Sequence, residues 1–314
     1  MAQRITDSGF KDWTEERLPN LKGKVYLITG GNSGIGFEAA KMLGEAGASL
    51  IIAARNQEKG ERAVAKLNET VSGKVHLVSL DLADRASIES CDKQVREITT
   101  KLDGLINNAG LMQTPKQKTQ DGFEMQFGVN HLGHFLLNGL LFDLIEKASG
   151  RIVVVSSIAH KYGRIHWLDP MMDKDYDPSK AYCQSKLANL MYALELNRRL
   201  KAADTGVTAY ACHPGYSKTS LQSTGPTGFF NLLYKVLNPV MGQDPKQGAL
   251  PTVLCAAGKE ARPGGYYGPQ NFREMRGPVS DALVEEKALK KDRQKQLWEM
   301  SEELVGFQWD KVLK

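Results

Sequence analysis

From Lys24 onward, short runs rich in β-branched residues alternate with longer stretches whose apolar residues recur at helical spacing. That alternation is the pattern of βαβ units feeding a parallel sheet. Strands are expected at KVYLITG (24–30), SLIIAA (49–54), KVHLVSL (74–80), GLIN (104–107), RIVVVSS (151–157), VTAYACH (207–213) and a short GGYYG (264–268). Several are apolar on both faces, which suits central strands covered by helices on each side. Ile35, Ala39, Leu43 and Ala46 mark a first helix that stops at Gly47. Further helices are expected over 57–68, 85–101, 121–147, 178–201 and 245–257, and an amphipathic one over 281–305 packs against its own domain. No linker, repeat or low-complexity segment interrupts the pattern. The reading is one α/β domain over 1–314, a doubly wound parallel sheet of about seven strands with helices on both faces, an N-terminal extension (1–22) and an added C-terminal helix.

Composition narrows the function classes. The formal charge of +5 is mild and the basic residues are spread along the chain, so a nucleic-acid partner is not expected. Cys91, Cys183, Cys212 and Cys255 lie far apart with no CxxC and no metal-like spacing to histidine, which points to a reducing cytoplasm and no metal. Residues 1–22 hold no apolar core of signal-peptide length, and no uncharged apolar run reaches the ~18 residues of a membrane span.

The first strand runs directly into GNSGIG, placing glycines at 30, 34 and 36 between a strand and a helix. In that context Gly30 permits the tight turn, Gly34 lets backbone approach a pyrophosphate and Gly36 allows close helix packing. Asn32, Ser33 and Ile35 complete the loop, and the helix N-terminus offers free N–H groups to phosphates. The fold is therefore read as Rossmann-type and dinucleotide-binding. An NAD-binding chain usually places an acid at the end of the second strand to hold the ribose 2′-OH. Here the stretch reads AARNQ, with no carboxylate before Glu58 and with Arg55 placed to grip a 2′-phosphate, so NADP(H) is expected over NAD(H).

Tyr182 and Lys186 stand four residues apart on one expected helix and so share a face. A phenol titrates near ~10, and acid/base work near neutrality asks for a shift of ~3 units. A neighbouring ammonium and a positively charged oxidised nicotinamide both favour phenolate.

TGGNSGIG, LDL (80–82), NNAG (107–110), VNHLG (129–133), VVSS, YCQSK and HPG, in that order, resemble the short-chain dehydrogenases/reductases. KAYCQSKLANLMYALELNRRL, AHKYGRIHW and QLWEMSEELVGF are similar to its retinol-dehydrogenase-like branch. The resemblance implies hydride transfer between nicotinamide and a carbonyl or alcohol, with Tyr182 as general acid/base and Lys186 on the nicotinamide ribose. It implies Ser157, the second of the serine pair, as hydrogen-bond donor to the substrate oxygen, and Asn130 as holder of a proton-relay water. Asp81 and Leu82 border the adenine, Asn108, Ala109 and Gly110 line the cofactor cleft, and Pro214, Gly215 and Thr219 flank the carboxamide. His131 and His134 are expected to be structural, and His160 and His166 to lie in a solvated insert.

Ligands of such folds bind beyond the carboxyl ends of the strands. Segment 217–243, with Phe229, Phe230, Leu232, Leu233 and Tyr234, is expected to form a substrate-side lid and to favour a lipophilic aldehyde, ketone or secondary alcohol. Family members often pair through the helices at 121–147 and 178–201, which implies a possible homodimer. Two other readings are a catalytically silent NADP(H)-binding sensor and a protochlorophyllide reductase-like enzyme; Ser157 counts against the latter.

Overall fold

The computed structural model describes residues 2–216 and 243–313. Among them, eight strands form one sheet: β1 (Val25–Thr29), β2 (Ser49–Ala54), β3 (Val75–Ser79), β4 (Gly104–Asn107), β5 (Arg151–Val155), β6 (Thr208–Cys212), β7 (Tyr266–Asn271) and β8 (Arg276–Asp281). Their order is β3-β2-β1-β4-β5-β6-β7-β8, and every pairing is parallel except β7 with β8. The chain reverses direction across the sheet between β1 and β4, and that switch point opens a crevice at the carboxyl ends of the strands. Leu27 pairs with Ile51 on one side and Leu105 on the other.

Successive residues of the central strands feed opposite layers, as the two-residue repeat of a strand requires. Leu27, Ile51, Leu105 and Ile152 pack with Phe135, Leu187 and Leu190 on one side. Ile28, Ile52, Ile106 and Val153 pack with Ala39, Leu43, Leu250 and Val253 on the other. The helices are α1 (Gly34–Glu45), α2 (Gln57–Asn68), α3 (Arg85–Ile98), α4 (Gly133–Leu140), α5 (Phe142–Glu146), α6 (Pro178–Ala202), α7 (Pro245–Ala257) and α8 (Lys291–Val305). Asn56, Asp84, Asp177 and Asp244 cap α2, α3, α6 and α7 through their side chains, and proline opens α6 and α7.

Four expectations change. The stretch expected to be one helix over 121–147 starts at Met125, widens into a π-helical turn over Gly128–Leu132, and breaks at Leu141 between α4 and α5. Its entry is fixed by Glu124, whose carboxylate takes the N–H groups of Gln126 and Phe127. The sheet gains an antiparallel edge, because residues 276–281 form a strand where the C-terminal helix was expected to begin. The β7–β8 turn is built from Phe272, Arg273 and Glu274, all at positive φ, and contains none of the usual turn formers. A 3₁₀ turn (Glu286–Leu289) follows before α8 starts at Lys291. His160, expected in a solvated loop, is fully buried in the 3₁₀ turn Ile158–Tyr162.

The two ends of the chain are integral to the packing. Trp13 is buried, donates from Nε1 to Glu260 at 3.0 Å and bridges the backbone of Val279, while Thr6 and Ser8 bind the Asp281 carboxylate. At the other end, Trp298 of α8 stacks on Tyr192 of α6 at 5.7 Å between ring centroids, and His131 Nε2 lies 2.8 Å from Ser301 Oγ. A Cβ at Gly139 would meet the Phe307 ring at 2.3 Å, so α4 is notched to receive the residue just past α8. No helix among the described residues is long and apolar enough to cross a membrane.

Candidate active site

The crevice at the switch point is a cleft of about 310 Å³. At one end lies the turn from β1 into α1, where Gly30 and Gly34 take φ of +63° and +54°. A side chain at Gly36 would put its Cβ 2.4 Å from Asn108 Nδ2 and 2.5 Å from Gly30 O, so only glycine lets the first turn of α1 sit this close to β4. Gly30, Asn32, Ser33, Gly34, Ile35 and Gly36 all face the cleft. The Ser33 side chain makes no capping hydrogen bond, so the first N–H groups of α1 remain available to a phosphate.

Thr29, which sequence reasoning passed over, organises this end. Its Oγ1 accepts the N–H groups of Asn108 and Ala109, each at 3.0 Å, and lies 2.9 Å from His134 Nε2. Asn108 Nδ2 returns a bond to Thr29 O at 2.9 Å. The signal was a threonine closing the strand directly before the glycine turn. Burial pulls the His134 pKa down to about 4, so the ring is neutral and bridges Thr29 to Asn130 O.

The far wall holds Arg55, Asn56 and Lys59 beside Asp81 and Leu82. Arg55 is exposed at the end of β2, with Lys59 in the first turn of α2. Lys59 was missed, although it stands four residues beyond Arg55 on the same wall of the cleft. Its position is set by Asn56, whose Oδ1 accepts the Lys59 N–H at 2.8 Å.

At the reactive end, α6 projects Tyr182 and Lys186 into the same cleft as Asn108, Ala109, Gly110 and Pro214. Lys186 Nζ lies 5.8 Å from the centre of the Tyr182 ring and donates to Val155 O at 3.2 Å. Burial lowers the Lys186 pKa to about 8, which leaves the ammonium charged at neutrality.

The serine pair divides its work. Ser156 is buried and its hydroxyl donates to Lys186 O at 2.7 Å, so the proton is spent on holding α6 against β5. Ser157 is half-buried and caps the 3₁₀ turn by accepting the Ala159 N–H at 3.2 Å, an arrangement that leaves its own O–H as a donor. Ser156 rather than Ser157 lines the cofactor cleft, and Ser157 stands outside that lining with Asn130 and Gly215.

Asn130 sits in the π-helical turn with its side chain fully engaged. Oδ1 accepts Leu111 N–H at 2.7 Å, while Nδ2 donates to Leu111 O and Ser185 Oγ at 2.9 Å each. A Cβ at Gly110 would lie 3.0 Å from Asn130 Oδ1 and 3.6 Å from Lys186 Nζ, so the two residues converge on the same backbone. Gly215 takes φ of +69° and packs against Met275 O. Thr219 and the lid segment up to residue 242 lie outside the described residues. No group of three or more His, Cys, Asp or Glu among the described residues is placed to hold a metal.

Comparison with known proteins matches this arrangement. The family model described as short chain dehydrogenase covers residues 24–228. Retinol dehydrogenase 12 of Mus musculus is 41% identical over 294 residues, 92% of this chain and 89% of that protein. Retinol dehydrogenase 11 of Homo sapiens is 40% identical over 294 residues, 92% of this chain and 88% of that protein. Among solved structures, a putative uncharacterized protein from Mycobacterium paratuberculosis superposes with a TM-score of 0.79 at 36% identity, over 95% of this chain and 99% of its own. The RhlG/NADP active-site complex of Pseudomonas aeruginosa shares the fold, with a TM-score of 0.62 at 22% identity over 79% of this chain and 94% of its own. With the glycine turn, the NNAG segment and the Tyr182–Lys186 pair gathered around one crevice, the chain belongs to the short-chain dehydrogenase/reductase family of oxidoreductases and, within it, to the retinol-dehydrogenase-like branch.

Proposed function

We propose that the protein is an NADP(H)-dependent oxidoreductase interconverting a lipophilic alcohol with its aldehyde or ketone, with Tyr182 as general acid/base. One observation carries this reading: Tyr182 and Lys186 line the same cleft as the glycine turn, with Arg55 and Lys59 on its far wall. The dinucleotide fits because Gly34, at φ of +54°, turns the backbone at the uncapped start of α1, and Gly36 lets that turn pack against Asn108 and Gly30. Residues 32–36 would hold the phosphates, Arg55 and Lys59 the 2′-phosphate, Asp81 and Leu82 the adenine, and Asn108 to Gly110 the inner wall. Pro214, Gly215 and Thr219 would flank the carboxamide. When bound, the nicotinamide supplies or accepts the hydride.

The protein's own groups handle the proton. Ser157 donates its hydroxyl hydrogen to the substrate oxygen, and Tyr182 gives that oxygen a proton in reduction or takes it in oxidation. Lys186, charged below about 8, draws the phenol toward its ionised form and binds the nicotinamide ribose. Asn130 fixes the Gly110 backbone beside Lys186 and marks the start of a proton path to bulk water. Two relatives named retinol dehydrogenases, together with the apolar residues of 217–243, support a lipophilic substrate.

The face expected to pair two copies is occupied by the protein's own α8, which seats Trp298 on Tyr192 and Phe135. A second copy reaching α4 and α6 would have to strip that helix away. We therefore expect a monomer, and a dimer mass in light scattering would reverse this. The cytoplasm remains the proposed location, supported by four cysteines that are free thiols.

The deciding experiment sets NADPH beside NADH in steady-state reduction of aldehydes and ketones of graded size, retinal included. NADPH-dependent turnover that rises with apolar size is expected. Preference for NADH would remove the role given to Arg55 and Lys59, and tight NADPH binding without turnover on any carbonyl would make the protein a sensor.

A further inference from the structure

The turn between β7 and β8 is made by three consecutive non-glycine residues in the left-handed region, Phe272, Arg273 and Glu274, at φ of 51°, 57° and 68°. L-residues resist this conformation, and it persists only where surrounding contacts over-determine it. The contacts converge on Glu274. Although it lies at the tip of a hairpin, its residue is 4% exposed. One carboxylate oxygen accepts the Leu283 N–H at 2.7 Å, and the other accepts Lys161 Nζ at 2.6 Å. The second oxygen also stands 3.9 Å from His213 Nε2.

Lys161 belongs to the 3₁₀ turn that Ser157 caps, and His160 of that turn contacts Ser157 O at 2.8 Å. His213 opens the HPG turn on the other side of the site. Its Nδ1 accepts the Gly215 N–H at 3.2 Å, which places the ring proton on Nε2; burial keeps the ring neutral, and at 3.9 Å that nitrogen makes no hydrogen bond to Glu274. The neighbour of Glu274 completes the grip, since Met275 O accepts the Tyr216 N–H at 2.7 Å. Tyr266 closes the back of the cluster, its hydroxyl 3.3 Å from His160 Nδ1.

We propose that Glu274 is a positioning residue: its buried carboxylate ties the β7–β8 hairpin to the Ser157-capped turn through Lys161, and the adjoining Met275–Tyr216 bond ties the same hairpin to the His213–Gly215 turn, which fixes the two turns in one relation. This rests on the reading of Ser157 as the substrate-oxygen donor and of Pro214–Gly215 as the nicotinamide flank. It assigns a role to a hairpin some 90 residues beyond Tyr182 that lines no part of the cleft. A misplacement of about 1 Å between the two turns is enough to cost on the order of 100-fold in rate.

The test compares the parent with Glu274→Gln and with the double variant Lys161→Met/Glu274→Gln. Glutamine keeps an acceptor for Leu283, and the double variant removes the cation that the single change would strand, so the fold survives if the pair is merely structural ballast. The expected result for the double variant is a melting temperature close to the parent's and an NADPH dissociation constant changed by less than about 3-fold. Its kcat for carbonyl reduction falls by about 10- to 100-fold. Backbone amide exchange with NADPH bound speeds up by about 10-fold in peptides covering 157–162 and 213–216, and nowhere else on the sheet. A double variant that recovers the parent's melting temperature and kcat together overturns the proposal, as does unchanged exchange in either peptide. The exchange measurement needs no turnover. Faster exchange at both turns of the double variant, in a protein whose parent reduces no carbonyl, therefore keeps the clamp and removes only the catalytic reading.

Discussion

The two halves of the cleft are built by different means. The cofactor end, from β1 through α2, is made of backbone: positive-φ glycines, a free helix N-terminus and a Cβ-sized gap at Gly36. Most of what it needs is contiguous in the chain; Asp81 and Leu82 join it from just beyond β3, and Thr29 reaches across to Asn108 and Ala109. The substrate end is made of side chains from distant segments, with Ser157, Lys161, His213, Glu274 and Leu283 meeting over more than 120 residues of sequence. A backbone-built site tolerates change in its side chains and fails when a glycine is replaced. A side-chain-built site is the reverse.

That contrast can be broken or sharpened by experiment. The largest effect is expected where the halves meet. Tyr182→Phe should lower kcat/KM by about 1,000-fold while leaving NADPH binding within a factor of about 3, since a positioned acid/base contributes roughly 10²–10⁴-fold. Turnover equal to the parent's would remove Tyr182 from the chemistry. Gly36→Ala should weaken NADPH binding by about 100-fold, because its Cβ must displace Asn108 or the Gly30 carbonyl, and overpacking costs about 1–3 kcal/mol. Binding retained in that variant would mean that the backbone end is looser than its geometry. Arg55→Ala should raise the NADPH KM by about 10-fold and leave NADH unchanged, in line with a charge-assisted hydrogen bond of about 1.5–3 kcal/mol. Equal losses with both cofactors would place Arg55 away from the 2′-phosphate.

The last expected effect is on stability, away from the cleft's chemistry. Burial drives His131 to about 3 and His134 and His160 to about 4, against ~6.5 in the unfolded chain. Between those values the unfolded chain binds protons that the folded protein refuses, so stability must fall as pH falls from ~6.5 towards ~4, by up to about 1.4 kcal/mol per pH unit for each ring. Melting temperatures measured at pH 7.5, 6.5 and 5.5 should be similar at the first two and lower at the third. A rise at pH 5.5 would show that opposing groups, such as Glu124 with its raised pKa, outweigh the histidines.

The same contrast explains what could be read from the sequence. Strands β1 to β6, the glycine turn, Arg55 and the Tyr182–Lys186 pair were legible because each is encoded within one turn or one strand. Lys59 was legible in principle, one helical turn from Arg55. The β7–β8 hairpin was not, since Phe272, Arg273 and Glu274 carry no turn signal and owe their conformation to Lys161 and Leu283. The π-helical turn at 128–132 was hidden for a related reason: Asn130 trades helical regularity for bonds to Leu111 and Ser185. His160 looked like loop because its burial is supplied by Tyr266, more than a hundred residues away.

The stacking of Trp298 on Tyr192 reaches beyond architecture. Tyr192 lies on the helix that carries Tyr182 and Lys186, so the last twenty-odd residues act as a splint behind the pair proposed to move the proton. A premature stop codon or a protease cut before α8 would spare every group in the cleft and still slacken the rod that aims two of them.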